Sequence, residues 1–429
     1  MNILFVHQNF PGQFRHVALA LGRDAAHRVV AIGQPQAQAL SGVTLLRYKA
    51  PQEPDRSATA AGAGASAGAG AGAGAVKSGH RYLVGMERAV RTGQQVARVM
   101  LDLQRKGFVP DVIVAHPGWG ETLFARDIFP AARIIHFCEF YYHPTGVDVG
   151  FDPAFPVSVD DRARVRTRNA LHLLNLEQCD EAVTPTHWQK SLHPAAYQAK
   201  LRVIHEGVDI HAAQPDPDAS FALPDGRVLT RRDPVVTYVA RNLEPYRGYP
   251  QFIRALATMQ QRHPGLQALI IGGDEVSYGS APEGHASWRE RMAHEVPLDP
   301  ARTHHVGRLT HRRYLDALRV GSAHVYLTYP FVLSWSALEA MACGCHLIGS
   351  ATPPVQEVVE HGRNGWLTDF FDGDALARAV LDALAEPQRH TALRAEARRT
   401  VVERYSHEAG TRAWLNLILG SGQTPAEPA

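Results

Sequence analysis

Arg241 and Arg247 lie in the run Val239-Ala-Arg-Asn-Leu-Glu-Pro-Tyr-Arg-Gly248. Arg241 ends an apolar strand, and Arg247 precedes a glycine and a helix. Guanidinium groups leaving a strand end chelate phosphate oxygens in bidentate fashion, which suits a departing diphosphate. A second stretch, Tyr329–Gly365, reads YPFVLSWSALEAMACGCHLIGSATPPVQEVVEHGRNG. It follows a short strand (HVYLT) with a loop free of charges, a helix carrying Glu339, and a second strand (HLIGS) between Gly344 and Gly349. That order aims Ser334, Ser336, nearby amides and a helix N-terminus at an anion, with a carboxylate alongside. Amides and dipole suit a diphosphate, and the carboxylate suits ribose hydroxyls. Ser336-Ala-Leu-Glu339 also reads as a capping box in which Glu339 closes its own helix; both roles can coexist.

In the first half, Phe10-Pro-Gly-Gln-Phe14 joins a strand to a helix, and at Gly12 the backbone can approach a phosphate or sugar closely. The pattern is not GxGxxG, which argues against a nicotinamide site. His116, Trp119, Glu121, Glu139, Tyr141 and Tyr142 all fall at strand ends. Aromatic faces, carboxylates and a histidine are what a sugar acceptor needs, although packing at a domain edge accounts equally well for any one of them.

These residues hang on two successive alternations of strand and helix, the mark of parallel doubly wound sheets. The first contains strands Ile3–His7, His27–Ile32, Val112–Ala115, Ile134–Cys138, Glu181–Thr184 and Arg202–His205, with helices Phe14–Leu21 and Tyr82–Lys106. Residues 51–80 include AGAGASAGAGAGAGA, which cannot bury a core and reads as a flexible insertion. Residues 211–233, rich in Pro, Asp and Gly, read as an interdomain connection. The second alternation contains strands Val235–Ala240, Ala268–Gly272, His304–Val306, His324–Thr328 and His346–Gly349, and a last helix, Glu408–Leu419, closes the chain. The expected domains are thus 1–210 and 234–407, with a ligand cleft between their strand C-termini.

Composition narrows the function class. In 429 residues, 44 Lys and Arg face 42 Asp and Glu, so nothing marks the whole chain for nucleic acid. Arg162, Arg164, Arg166 and Arg168 form a local basic run, read as a solvated helix face in preference to an anionic acceptor or membrane contact. Cys138, Cys179, Cys343 and Cys345 have no zinc-ligand spacing and read as free thiols in a reducing cytosol. The 23 histidines form no HExxH, and no metal is expected. MNILFVHQNF reads as a strand and lacks the features of a signal peptide, and no apolar run approaches the ~20 residues of a membrane span. A cytoplasmic protein is expected, with peripheral contact at the inner face of a membrane compatible but unsupported.

With those residues in view, the chain resembles family 4 glycosyltransferases, which have the GT-B fold of two facing Rossmann-like domains. The resemblance covers almost everything outside 51–80. Leu338-Glu-Ala-Met-Ala-Cys-Gly344 with Glu357 and Gly362–Gly365 is similar to the family's LEAMAxGxPVI…E…GxNG. Ile204–Asp209 is similar to its IPNGVD, and Ala240–Gly248 to its GRLxxxKG. The resemblance implies retaining transfer of a sugar from a nucleotide donor, UDP- or GDP-linked, to a glycan or lipid-linked acceptor, without metal or cofactor, in cell-surface polysaccharide synthesis. It implies Arg241 and Arg247 on the diphosphate, Glu339 on the ribose, amides around Leu333 and Ser334 on phosphate, and the Val306–Arg308 turn on the base. Glu139 takes the place of the family's sugar-facing histidine, with His116 beside it as a second catalytic candidate; Trp119, Glu121 and Tyr141 are the acceptor candidates. The closing helix is expected to cross back to the first domain.

Three departures accompany the resemblance. Phe331 occupies the position of the first of the family's paired glutamates, which would hold donor-sugar hydroxyls; Arg247 replaces the usual lysine, one residue further from Arg241 than the family spacing; and Glu206 replaces the asparagine before Gly207. Two other readings therefore stand: a nucleotide-sugar 2-epimerase on the same fold, and a non-catalytic nucleotide-sugar-binding scaffold.

Overall fold

The computed structural model describes residues 1–50 and 80–420. The alanine- and glycine-rich stretch expected at 51–80 therefore lies, but for His80, outside the described residues.

Apolar runs buried on both faces build the first sheet, as parallel pairing requires. Its strands are β1 (Asn2–Val6), β2 (Arg28–Gly33), β3 (Val43–Arg47), β4 (Val112–Ala115), β5 (Arg133–Phe137), β6 (Glu181–Thr184) and β7 (Leu201–Val203). They are parallel in the order β3-β2-β1-β4-β5-β6-β7. Helices α1 (Arg15–Arg23), α2 (Val84–Arg105), α3 (Ala125–Ile128), α4 (Val159–Gln178) and α5 (His187–Ser191) connect them. Alternate residues point to opposite faces: Ile3, Phe5 and Val29 enter one core layer, and Leu4, Val6 and Val30 the other. The run Arg162–Arg168 lies on α4 with all four arginines exposed; Arg164 pairs with Asp161, and Arg168 lies 3.7 Å over the Tyr142 ring.

Residues 211–233, expected to be a connection, hold an antiparallel hairpin of β8 (Ser220–Ala222) and β9 (Val228–Thr230). Phe221 and Leu229 are buried with Val235, Leu269 and Ala317, so the hairpin is part of the second domain's core. The second sheet follows the order β12-β11-β10-β13-β14-β15. Its strands are β10 (Val235–Asn242), β11 (Gln267–Gly273), β12 (Thr303–Gly307), β13 (Ala323–Tyr326), β14 (His346–Ser350) and β15 (Trp366–Thr368), all parallel. Around them lie α6 (Tyr249–Arg262), α7 (Trp288–Glu295), α8 (His311–Val320), α9 (Trp335–Ala342), α10 (Pro353–Gln356), α11 (Gly373–Ala385) and α12 (Thr391–Arg404).

Strand order reverses between β1 and β4 in one sheet and between β10 and β13 in the other. At such switch points adjacent loops part to opposite faces and leave a crevice at the strand C-termini. The two crevices face each other: Phe140, just beyond β5, meets Phe331, just beyond β13, at 4.7 Å between ring centroids.

The last helix, α13 (His407–Leu419), returns to the first domain. Trp414, Leu417 and Ile418 enter the core layer of Phe14, Val17 and Phe137, with the Trp414 ring 5.7 Å from Phe14. The chain crosses between domains where the Val208 amide donates to the Tyr405 carbonyl and the His407 amide to the Val208 carbonyl, both at 2.9 Å. Among the described residues no helix is long and apolar enough to cross a membrane.

Trp414→Ala should destabilise the first domain by about 3–5 kcal/mol, the usual cost of emptying a buried tryptophan site. Urea unfolding followed by circular dichroism measures it; a loss below about 1 kcal/mol would show that α13 does not complete that core.

Candidate active site

The second-domain wall begins at the end of β10. Pairing with β11 shifts register between Val239 and Asn242, so one extra residue bulges out where the strand meets the cleft. Bulges re-aim side chains. Arg241 sits on this one, exposed, with no hydrogen bond or ion pair among the described residues. Six residues on, a 3-10 turn (Pro245–Arg247) ends at Gly248, whose φ of +68° and close approach to Leu327 (2.5 Å from an added Cβ) exclude other residues.

Arg247 turns inward and is only 7% exposed. Its Nη1 donates to the Tyr326 hydroxyl (3.0 Å), the Thr328 hydroxyl (2.8 Å) and the Val332 carbonyl (3.0 Å). Its guanidinium carbon lies 5.6 Å from the Tyr278 ring centroid and 6.0 Å from that of Phe331. Among the described residues it has no carboxylate partner. The carboxylate nearest in sequence, Glu244, is fully buried and accepts instead from the amides of Ser277, Tyr278 and Gly279 at 3.1–3.3 Å. The expected pair of outward arginines is thus one exposed cation and one buried cation that shapes the loop beside it.

That loop leads into α9. The Ser334 amide, expected to be free for an anion, donates to the Tyr326 hydroxyl at 2.7 Å, and the Ser334 hydroxyl accepts from that of Ser336 at 3.0 Å. The amide of Leu333, a residue otherwise buried in the core, has no partner among the described residues. Glu339 does not cap its helix. Its two oxygens accept from His311 Nε2 and the Tyr314 hydroxyl, each at 2.8 Å, and this bond holds His311 above the ordinary histidine range. Arg308, just beyond β12, donates to Asn242 Oδ1 at 2.8 Å and pairs with Glu275; Val306 is half-buried against the β8–β9 core.

The first-domain wall stands on β1, β4 and β5. Gly12 has φ +49° and an added Cβ would lie 2.6 Å from the His7 ring, so that turn packs directly on His7. His116 follows β4 and stacks on Trp119 (centroids 4.3 Å, planes 23° apart), and the same Trp119 ring meets His7 edge-on at 5.5 Å. Burial, then the neighbouring His116, pushes His7 down to about 3, so it is neutral at physiological pH. His116 Nε2 is buried without a hydrogen bond and lies 3.6 Å from Glu139, whose carboxylate is partly exposed. Glu139, His116 and Trp119 therefore form one cluster.

Two expected acceptor contacts lie elsewhere. Glu121 is 1% exposed beneath the loop, where it accepts from the Tyr48 hydroxyl at 3.1 Å, so it cannot present its carboxyl to a surface ligand. The Tyr141 ring packs among His143, His172 and His193, at 5.9–6.4 Å between centroids, rather than with His116.

Sequence reasoning singled out Phe331 and Glu357 by motif but did not foresee the contacts that join the walls. Phe331 packs against Phe140, Tyr278 (4.9 Å) and Tyr246 (5.7 Å). The Tyr246 hydroxyl donates to Asp148 at 3.1 Å and the Tyr329 hydroxyl to Asp152 at 2.7 Å. Glu357 accepts from the His187 and Trp188 amides, both 2.7 Å, at the start of α5. Trp335 Nε1 donates to Glu206 at 2.7 Å. The aromatic run YPF beside Arg247 was the one available signal for this cluster.

Two facing doubly wound domains with a cleft between them make up the GT-B architecture. Residues 25–213 match the family model described as glycosyl transferase family 4 group, and residues 226–400 match glycosyl transferases group 1. The two matches together support a glycosyltransferase of the family 4, GT-B type. The chain is 30% identical over 203 residues to the GDP-mannose-dependent alpha-(1-6)-phosphatidylinositol monomannoside mannosyltransferase of Mycolicibacterium smegmatis, covering 46% of this chain and 50% of that protein. It is 28% identical over 199 residues to a D-inositol 3-phosphate glycosyltransferase of Streptomyces griseus, covering 42% of this chain and 41% of that one. The chain thus spans about half the length of the curated relatives it matches. In fold it is similar to sucrose-phosphate synthase from Thermosynechococcus elongatus (TM-score 0.68, 19% identity, 97% of this chain and 98% of that one). It is also similar to HepE of Anabaena, solved in complex with UDP-glucose (TM-score 0.62, 15% identity, 96% and 98%).

Burial pushes the Glu121 carboxyl up to about 7 from an ordinary 4.5. The native state then holds a proton that the unfolded chain has released, so this group costs stability as pH rises from about 4.5 through 7. Glu121→Gln should exceed the wild type in stability by on the order of 3 kcal/mol at pH 8 and lose that advantage near pH 4. Denaturant unfolding at both pH values measures the difference; a variant no more stable than wild type at pH 8 would refute burial of a neutral acid.

Proposed function

We propose that the protein transfers a sugar from a nucleotide-sugar donor, UDP- or GDP-linked, to a hydroxyl of a glycan or lipid-linked acceptor in the synthesis of a surface polysaccharide. The observation that carries this reading is a pair of cations without carboxylate partners among the described residues, Arg241 exposed on its bulge and Arg247 buried among neutral oxygens of the loop that leads to the Leu333 amide and α9. A cation retained in a protein interior without a counter-charge implies a ligand that brings one. The donor diphosphate supplies it. Glu339 holds the ribose hydroxyls through lone pairs left over from His311 and Tyr314, and the turn at Val306–Arg308 lies against the base.

The transfer proceeds on one face of the donor with retention. The acceptor oxygen bonds to the anomeric carbon as the bond from that carbon to the diphosphate oxygen breaks. The acceptor proton passes to the departing diphosphate. Arg241 and Arg247 take up the charge developing there, so no metal is required; one such donor contributes roughly 3–4 kcal/mol to the barrier. On the other wall, Trp119 offers a stacking face to the acceptor, while His116 and Glu139 orient its hydroxyl.

In a thermal-shift screen of UDP-, GDP-, ADP- and dTDP-sugars, a donor at about 100 times its Kd adds about 2.7 kcal/mol to stability. The largest shift identifies base and sugar together. Arg241→Ala should abolish that shift and lower transfer by about 10²–10³-fold; a variant that keeps both nucleotide binding and transfer would overturn the assignment. Phe331, standing where the family carries its first paired glutamate, favours one second reading, a nucleotide-sugar-binding scaffold without transfer. Under that reading the shift appears but no acceptor is glycosylated.

A further inference from the structure

The end of the second domain opposite the cleft holds a cavity of about 130 Å³. It opens where the chain enters β10 and β13, and its lining includes Arg231, Arg232, Asp233, Ser322, Pro387 and Arg394. Arg394 comes from the first turns of α12; Arg231 and Arg232 come from the segment that follows β9.

Three guanidinium groups meet one carboxylate here, and that carboxylate is engaged: Asp233 accepts from the Thr230 amide at 2.7 Å and the Thr230 hydroxyl at 2.9 Å. Arg394 gives one bond, from Nη2 to the Pro387 carbonyl at 3.0 Å. The Arg231 and Arg232 side chains make no hydrogen bond or ion pair among the described residues. Burial, then the charge of Arg231, depresses Arg394 below the ordinary arginine range, so the two cations face a shared space. Like charges held together in a half-buried site are unfavourable unless an anion lies between them. Two positive charges remain uncompensated, which matches a phosphate dianion, and forked guanidinium groups suit its oxygens. A volume close to the ~150 Å³ that admits a benzene ring leaves room for a phosphate and a few attached atoms, and no more.

We infer that this cavity binds a phosphate dianion, free or as the terminal group of a small phosphorylated metabolite. The site lies at the opposite end of the sheet from Arg241 and Glu339, and it does not depend on the function proposed for the cleft.

Isothermal titration of inorganic phosphate and of glycerol 3-phosphate into the full-length protein, at ionic strength matched with sodium chloride, tests the inference. Saturable binding of at least one of them is expected. Arg231→Gln combined with Arg394→Gln should weaken it by about tenfold or more, while Arg241→Ala leaves it unchanged. Removing two like charges should leave the ligand-free melting temperature no lower than that of wild type, which shows that the double variant is folded. Absence of saturable binding, binding undiminished in the folded double variant, or binding lost on Arg241→Ala would each overturn the site.

Discussion

A guanidinium buried among neutral groups fixes the geometry of the donor wall. Arg247 cannot shed its proton, and leaving it unsatisfied in the interior would cost several kcal/mol, so the chain around it must supply oxygens. Tyr326, Thr328 and Val332 do so, and in answering that demand they determine where β13 ends and how the next loop turns. The Tyr326 hydroxyl then accepts from the Ser334 amide, which sets the first residue of α9 and hence the position of Glu339 against α8. Glu244 stands three residues from Arg247 but is satisfied by three amides of the 277–279 loop, so the cation keeps its field.

Phe331 belongs to the same account. A carboxylate at this position would stand beside Arg247 and neutralise it. The phenyl ring does not; it lies 6.0 Å from the guanidinium and gives its other faces to Phe140, Tyr246 and Tyr278. The position thereby trades a polar contact in the cleft for apolar contact between domains. Around it, Tyr246–Asp148 and Tyr329–Asp152 satisfy the polar groups that the contact buries.

How far this was legible in the sequence differs by level. Continuous apolar runs such as Ile3–Val6 and Ala268–Ile271 announce buried parallel strands, since nothing on either face needs to be polar. The edge strands β3 and β15 escaped notice because exposed or half-buried residues such as Thr44 and Trp366 break that run. Pro224-Asp-Gly226 makes the turn of the β8–β9 hairpin, yet the short strands on either side are too brief in sequence to distinguish a hairpin from a connection. Within the site, position along the chain placed Arg241, His116 and Glu139 at strand ends and Glu339 on the helix after β13. It did not say which way a side chain leaves its element. Arg247 turns inward, Glu121 lies under its loop and Tyr141 packs on His172 and His193 because of partners more than twenty residues away, and spacing carries no trace of them.

The return of α13 has a consequence for how the molecule is made. The core layer of Phe14, Val17 and Phe137 is closed by Trp414 and Ile418, which are synthesised after every strand of both sheets. At ~5–20 residues per second, the stretch from β7 to α13 takes on the order of ten to forty seconds to synthesise. Throughout that interval the first domain exists with its seven strands complete and one apolar face uncovered. Domains usually mature in the order of their synthesis; here the second sheet can finish before the first domain, because α13, made after it, supplies the first domain's missing layer.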